Sequence, residues 1–481
     1  MIITRRDDFM KMYRLRSLDK LLKEDYQELE RQTIYFTPFS DLNDPMEGVI
    51  DIIFQGDSIV WKNLFRHYLL CLDWKVALAT INDPEHPDQF FKYKIPIFIS
   101  EKELPIDLYR QHFKVIKDRF FANTNVALII DYLHSRKTPL RIEQLSTILH
   151  LFSKIALESV LFGHDKSGYQ PQSFFPVLQD LIRKNPMNIE QVLNAPDTTE
   201  EMFDKSMANA NMMNREVDLI FHCRLGEKAN RINWSYFFID FPTEYLAQMP
   251  QLVYPYWYSA SFMSEFPENS ILWSHYAEAH KGVCLIFNTD PKDEYANPYI
   301  SLGQLSGEKM IETSNKSPTF FEKVNYTNER EKVDFFKRLW TQPQHIVVNE
   351  WYTDENGQKS SLISEASPKE DVRLEYWEKF KRIQTTKTMS WQYENEYRLV
   401  LDNFLFEFER PQSRTLKYDF KSLEGIIFGI RTPTNKKVRI IEIVHNKCKS
   451  ENRNDFKFYQ ARFDELESKV VFDELTLLKF K

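Results

Sequence analysis

WSHYAEAHKGVCLIF, residues 273–287, places a short helix directly ahead of a buried strand, and that pairing sets the expected fold class. Asn269 or Ser270 opens the helix and Gly282 stands just past its end, where a left-handed or tightly approached backbone is common. Val283 to Phe287 is an unbroken apolar run of strand length. On the helix, Trp273, Tyr276 and His280 fall on one side and His275 with Glu278 on another. Such a helix serves a site or serves packing, and the residues alone leave both readings open.

Strand patterns flank this pair. Upstream, YPYWYSASFMSE reads as a strand. Downstream come FFEKVNY (320–326), the alternating stretch TTKTMSWQYENEYRLVLDNF, the buried strand EGIIFGI, the helix TNKKVRIIEIVHNK, and FKFYQARFDELESKVVFDEL as one or two closing strands. At the other end, Lys11 to Leu15 is a strand candidate with Tyr13 and Leu15 on one face and Arg14 and Arg16 on the other. Ser17 then caps an amphipathic helix ending near Arg31, and TIYFTPF follows as a second strand.

Residues 51–250 differ in character. WKNLFRHYLLCLDW, LYRQHFKVIKDRFF, TPLRIEQLSTILHLFSKIALESVLF, FFPVLQDLIRK and EEMFDKSMANANMMNREVDLIFHC repeat apolar residues at three- and four-residue spacing, the signature of helices on a shared core. The expectation is therefore an α+β fold with a split mixed or antiparallel sheet. Residues 1–50 and 251–481 make a discontinuous core, 51–250 an all-helical insertion, and 327–380 an expanded charged segment within the core.

The totals bound the function classes. Among 481 residues, 42% are hydrophobic and 15% aromatic, enough for a sizeable core, while only 11 are glycine. So few glycines argue against collagenous, linker-rich or glycine-rich phosphate-loop designs. A formal charge of -7 is mild for this length and steers the chain to neither nucleic acid nor anionic lipid. Cys71, Cys223, Cys284 and Cys448 lie far apart with no CxxC pair, so neither a disulfide framework nor a metal knuckle is expected. No run approaches the ~18 apolar residues of a membrane span, and a soluble, cytoplasmic, unprocessed chain is expected. GxxxxGK[ST], GxGxxG, HExxH and GxSxG are all absent, and no metal is predicted.

Three stretches carry candidate chemistry. In SDLNDPMEG, residues 40–48, Asp44 before Pro45 with Glu47 three residues on fits a capping box, the alternative being a loop that turns Asn43 and the carboxylates toward a ligand. As a strand, Gln392 to Leu401 puts Glu394, Glu396 and Arg398 on one face, a like-charge pair whose protonation is coupled. The same residues also suit an exposed face or an i,i+4 helical pair. His275 is a packing residue or a catalyst, and Lys281 answers the helix dipole or lines a cleft.

YRLRSL, FTPFSDLNDPMEG, SFMSEFPENSILWSHYAEAHKGVCLIF and WQYENEYRLV with EGIIFG, taken in that order, resemble the bacterial family catalogued as domain of unknown function 2971. The resemblance covers about residues 11–50 and 255–445. Segment 51–250 is longer than that family's spacer, and Met46 stands where phenylalanine is usual. More distantly, the order is similar to the split-sheet ADP-ribosyltransferase superfamily.

That second resemblance implies NAD as substrate. Tyr13 and Arg14 would contact the dinucleotide, although this pair departs from the His-aromatic pair of many members. Tyr35 and Ser40 would line the nicotinamide side, and Asn43, Asp44 and Lys281 would complete the binding set. Glu396 would bind the ribose 2′-hydroxyl and stabilise an oxocarbenium-like centre, Glu394 would orient the acceptor, and His275 would border the cleft. One preorganised charge of this kind is worth ~3–4 kcal/mol. The implied function is an NAD-dependent ADP-ribosyltransferase or NAD-cleaving effector in phage defence or toxin-type growth control. The alternatives are a non-catalytic sensor of a ligand, or of a protein partner held on the helical segment, and, below these, a nuclease.

Overall fold

Val283–Asn288 lies inside a nine-stranded sheet, and the alternation of its side chains explains why the run is apolar throughout. Leu285 and Phe287 join one buried cluster with Met12, Phe262, Ile426 and Ile440. Cys284 and Ile286 join another with Leu15, Leu272, Trp273 and Ile427. Period two sends neighbours to opposite faces, so a strand covered on both faces has no polar position to spare. These elements come from a computed structural model that describes residues 10–81, 93–104, 107–167, 199–225, 236–290, 297–306, 311–312, 316–404 and 408–478.

The fold is α+β with mixed and antiparallel sheets, and the chain divides into two units. The first comprises residues 1–49, 256–330 and 377–481. Its main sheet runs in the order Glu322–Lys323, Glu396–Asp402, Trp257–Met263, Lys11–Arg16, Val283–Asn288, Leu423–Phe428, Lys457–Asp464, Lys469–Glu474, with Thr37–Pro38 also pairing Trp257–Met263. Neighbours are antiparallel except Leu423–Phe428 and Lys457–Asp464, which are parallel and joined through the helix Thr434–Ser450. A smaller sheet of Ser317–Phe320, Tyr299–Gly303, Thr415–Tyr418 and Thr33–Tyr35 contributes Ile34, Ile300, Leu302 and Leu416 to the first cluster.

The helix of the 273–287 stretch is Ser270–Tyr276, capped by Asn269, whose side chain accepts from the Ile271 amide at 2.9 Å. It stops before Gly282 because Glu278, Ala279 and His280 take left-handed backbone at φ 48°, 50° and 70°. The turn has a use: Glu278 Oε2 accepts from the Leu18 amide at 3.2 Å and so holds the start of the helix Leu18–Leu22. Trp273 is fully buried and donates from its indole to the Pro267 carbonyl at 2.8 Å.

Several elements are shorter than periodicity predicts. The helix expected from Ser17 to Arg31 is two pieces, Leu18–Leu22 and Glu28–Arg31, separated by left-handed Gln27. TIYFTPF divides between two sheets, Thr33–Tyr35 and Thr37–Pro38. The strand expected from Gln392 begins only at Glu396, after a 3-10 turn over Met389–Glu394.

The second unit comprises residues 50–255 and 331–376. It is built on the helices Ser58–Ile81, Asp107–Phe121, Thr124–Ser135, Ile142–Lys166 and Glu200–Leu225. It is not all helix: Asp51–Phe54 pairs in parallel with Lys332–Asp334 and antiparallel with Leu140–Arg141. Residues 331–376, assigned from the sequence to the core, fall in this unit instead. Phe335 and Phe336 are buried there against Phe54 and Trp61, with Trp351 buried against Phe335, and burial of that much aromatic surface outweighs the polar composition of the surrounding loop. Ile142–Lys166 is long and apolar enough to cross a membrane by length and composition, against the sequence expectation. Leu145, Ile148, Leu149, Phe152, Ala156 and Val160 are each buried, as in a core helix. The expected helix FFPVLQDLIRK lies outside the described residues.

Candidate functional site

A cavity of about 250 Å³ opens in the first unit beside Trp257–Met263 and Lys11–Arg16. Arg14, Arg16, Asn43, Glu47, Tyr276, Lys387, Glu394 and Glu396 all reach it.

Its base is a buried charge network. Lys387 Nζ stands 2.9 Å from Glu47 Oε1, 2.6 Å from Glu394 Oε2 and 3.4 Å from Glu396 Oε2. Arg398 donates from Nε to Glu396 Oε1 at 2.9 Å, from Nη2 to Glu396 Oε2 at 3.0 Å and to Glu47, and from Nη1 to the Gln384 carbonyl at 2.9 Å. Three carboxylates thus face two cations. With so little solvent to screen them, the local charges decide protonation. Burial opposes ionisation of Glu396, but Arg398 and Lys387 outweigh it and hold its pKa at about 2. Burial prevails at Glu394 and Glu47, whose pKa values stand above the usual carboxylate range despite Lys387 and Arg398. At Lys387 the three carboxylates outweigh burial, so the ammonium stays charged.

Local backbone explains how two glutamates two positions apart reach one ammonium. Asn395, between them, is left-handed at φ 44°, a conformation asparagine tolerates better than most residues. It swings the chain from the 3-10 turn carrying Glu394 into the strand carrying Glu396. Lys387 comes from Thr386–Lys387, which pairs in parallel with Asn325–Tyr326, and its ammonium is 4.8 Å from the Trp391 ring centroid. Glu47 arrives from the Asn-Asp-Pro turn. There Asp44 Oδ1 accepts from the Met46 amide at 2.9 Å and Oδ2 from Thr388 Oγ1 at 3.1 Å. The segment makes a turn and no helix, so Glu47 enters the network where a capping box would have placed it at a helix start.

One polar chain leads from the cavity to Glu394: Asn43 Nδ2 donates to the Tyr276 hydroxyl at 2.6 Å, and that hydroxyl donates to Glu394 Oε1 at 2.5 Å. On the wall, Arg14 is 5% exposed, lies 5.1 Å over the Phe262 ring and donates from Nη2 to the Tyr35 carbonyl at 3.2 Å. None of the described ion pairs includes it. Burial, with Arg16 beside it, lowers its pKa to about 9, so it remains a cation at neutral pH. Arg16 is already held by Glu28.

Of the residues singled out from the sequence, Arg14, Asn43, Glu394 and Glu396 come together at the cavity. Asp44 supports the turn behind it. The other five do not line it. Tyr13 packs edge-on against Phe266, and the Tyr35 hydroxyl accepts from Arg414 Nε at 3.0 Å. The Ser40 hydroxyl is 2.8 Å from that of Tyr256. His275 is exposed beside Trp391, and Lys281 is exposed in the turn before Gly282. Lys387 escaped sequence reasoning because no periodicity ties it to the glutamates. Tyr276 is legible in the sequence only as part of one side of a helix open to packing or to a site.

Residues 272–399 match the model of a family described as protein of unknown function (DUF2971). Over those residues the chain is similar to that family, in agreement with the resemblance of its motifs. The match includes Tyr276, Lys387, Glu394, Glu396 and Arg398 and stops short of Arg14 and Glu47. No curated protein and no solved structure matches the chain.

Proposed function

We propose that the cavity of this chain cleaves the N-glycosidic bond of NAD or a closely related nucleotide and passes the ADP-ribosyl group to water or an acceptor hydroxyl. The observation that carries this reading is the placing of Glu394 and Glu396 in the same cavity as Arg14, a cation that none of the described ion pairs includes. The ADP-ribosyltransferase-like core inferred from the order of the motifs belongs to the same proposal.

The division of labour follows from the opposed pKa shifts, which separate a fixed anion from a proton acceptor. Glu396, clamped by Arg398 and Lys387, supplies negative charge to the ribose as the bond from C1′ to the nicotinamide nitrogen breaks. The electron pair leaves with nicotinamide, which departs neutral. The incoming oxygen forms the new bond to C1′, and its proton passes to Glu394. Tyr276 and Asn43 orient that carboxylate, and Arg14 holds a phosphate of the substrate. A cavity of about 250 Å³ suits the nicotinamide ribose end, with the remainder of the nucleotide extending outward.

The test is nicotinamide release from NAD by the purified full chain, measured by chromatography with and without cell lysate. Release that falls by about 10²–10⁴ in Glu394→Gln supports the reading. Equal, background release from wild type and Glu394→Gln overturns it.

A second reading, a ligand-binding module without chemistry, is favoured by the same clamp, because Glu396 already has both oxygens engaged. NAD binding by calorimetry that is lost in Arg14→Met, with no nicotinamide released, distinguishes it.

A further inference from the structure

The second unit holds a polar cluster that the proposed chemistry does not use. The helices Ser58–Ile81, Asp107–Phe121 and Ile142–Lys166 pack together through Phe65, Phe113, Phe120 and Phe152, and each contributes one residue to a cluster of buried ionisable side chains in that interior. These are Asp73, His112 and His164, with 0%, 8% and 3% of their surface exposed. A carboxylate buried this deeply is costly unless it is paired or coordinates a metal.

The geometry is specific. His164 Nε2 lies 2.7 Å and His112 Nε2 3.2 Å from the same oxygen, Asp73 Oδ1. The candidate donor atoms of the three residues all lie within 4.8 Å of one another. In a tetrahedral zinc site, bonds of ~2.0–2.1 Å set the ligand atoms about 3.3 Å apart, and both distances from Asp73 Oδ1 to the imidazoles lie within a sub-ångström adjustment of that spacing.

Two of the atoms on the far sides of these groups have outer supports. His112 Nδ1 is 2.9 Å from Ser167 Oγ, and Asp73 Oδ2 accepts from the Tyr109 hydroxyl at 2.7 Å. Metal-ligating imidazoles and carboxylates are oriented by hydrogen bonds of this kind on their far sides. Gly163 supplies an independent sign. A Cβ there would stand 2.4 Å from Ile116 and 3.4 Å from the His112 ring, so glycine lets the two helices close until the imidazoles meet edge to face at 4.8 Å.

We infer that Asp73, His112 and His164 form a site for a divalent first-row transition ion of the zinc class, which ties the three helices together. Two neutral imidazoles and one carboxylate suit such an ion better than calcium or magnesium, which prefer oxygen donors. Three protein donors leave one coordination position for water. Separations of 39 and 91 positions between Asp73 and its partners left the site without a readable motif.

The test uses the full chain, stripped with chelator and titrated with Zn²⁺ by calorimetry, with Co²⁺ as a spectroscopic probe. The expected result is one ion per chain, visible d–d absorption with Co²⁺, and a thermal midpoint that rises with Zn²⁺ and returns with chelator. His112→Gln and His164→Gln abolish stoichiometric binding, and Ser167→Ala, which removes only an outer support, weakens it by about 10–100-fold. His112→Gln, retaining an amide in the same space, guards against loss of fold, checked by circular dichroism. Folded wild-type chain that takes up neither ion, or histidine variants that bind zinc as wild type does, overturns the inference.

Discussion

Arg398 and Glu47, 351 positions apart, share an ion pair in which each side chain is 1% exposed. The contact joins the Asn-Asp-Pro turn to the Glu396–Asp402 strand, so the network is a tertiary clasp as well as a candidate site. Removing one partner of a buried pair strands the other charge, a loss of about 3–5 kcal/mol. Arg398→Met is therefore expected to lower the urea midpoint strongly. Adding Glu47→Gln is expected to recover part of that loss, because the stranded charge goes with it. A double variant as unstable as the sum of the singles would show the two residues to be uncoupled.

The network also sets a pH dependence. Glu396 has its pKa lowered from 4.5 to about 2, so its contribution to stability is full above 4.5 and is lost as pH falls toward 2. Glu47 and Glu394, raised by burial, act in the opposite sense: what they contribute is present below the ordinary glutamate pKa and fades as pH rises through the raised values. Urea midpoints of wild type are expected to fall across the acid window, and those of Glu396→Gln to fall less there. Parallel decline of the two proteins would remove Glu396 from the linkage.

Much of this was readable beforehand, for a physical reason. Val283 to Phe287 and Gly425 to Phe428 are apolar because both sheet faces are covered, and period two identifies Glu396 with Arg398 as neighbours on a strand. The remainder depended on interactions that no local pattern carries. Left-handed Asn395 brings Glu394 back toward Glu396, and Lys387 reaches three carboxylates from a two-residue strand. From the sequence alone, Glu47 reads first as part of a capping box. Likewise, Phe335 and Phe336, with Trp351 packed on Phe335, sit in a polar stretch, and only the partners Phe54 and Trp61 reveal which unit they stabilise.

Gly282 is expected to tolerate no side chain. A Cβ there would lie 2.2 Å from the Arg16 carbonyl oxygen and 2.9 Å from Ala277 Cα, both backbone atoms that yield little. The Gly282 carbonyl also accepts from the Gly429 amide at 3.0 Å and from Thr432 Oγ1 at 2.8 Å, so a shift there disturbs three strands' ends at once. Overpacking of this kind costs typically about 1–3 kcal/mol. Gly282→Ala should lower the thermal midpoint, whereas Gly357→Ala removes a left-handed glycine at φ 81° from open space and strains only its own turn. Equal midpoints for Gly282→Ala and wild type would show that the strand relaxes.

Tyr276→Phe tests whether the helix of the opening stretch belongs to the chemistry. The hydroxyl donates to Glu394, and that hydrogen bond favours the ionised carboxylate, although burial dominates and keeps the pKa raised. Without the donor the Glu394 pKa rises further, and Asn43 Nδ2 loses its acceptor. A reaction in which Glu394 must be ionised to take a proton then has its acid limb displaced to higher pH, with the rate recovered in part by raising the pH. Stability should change little by comparison, because the ring and its packing remain. The measurement is the pH profile of nicotinamide release by Tyr276→Phe beside wild type. A uniform loss of rate at every pH would confine Tyr276 to holding the cavity's shape, and an unchanged profile would separate the helix from the reacting carboxylate.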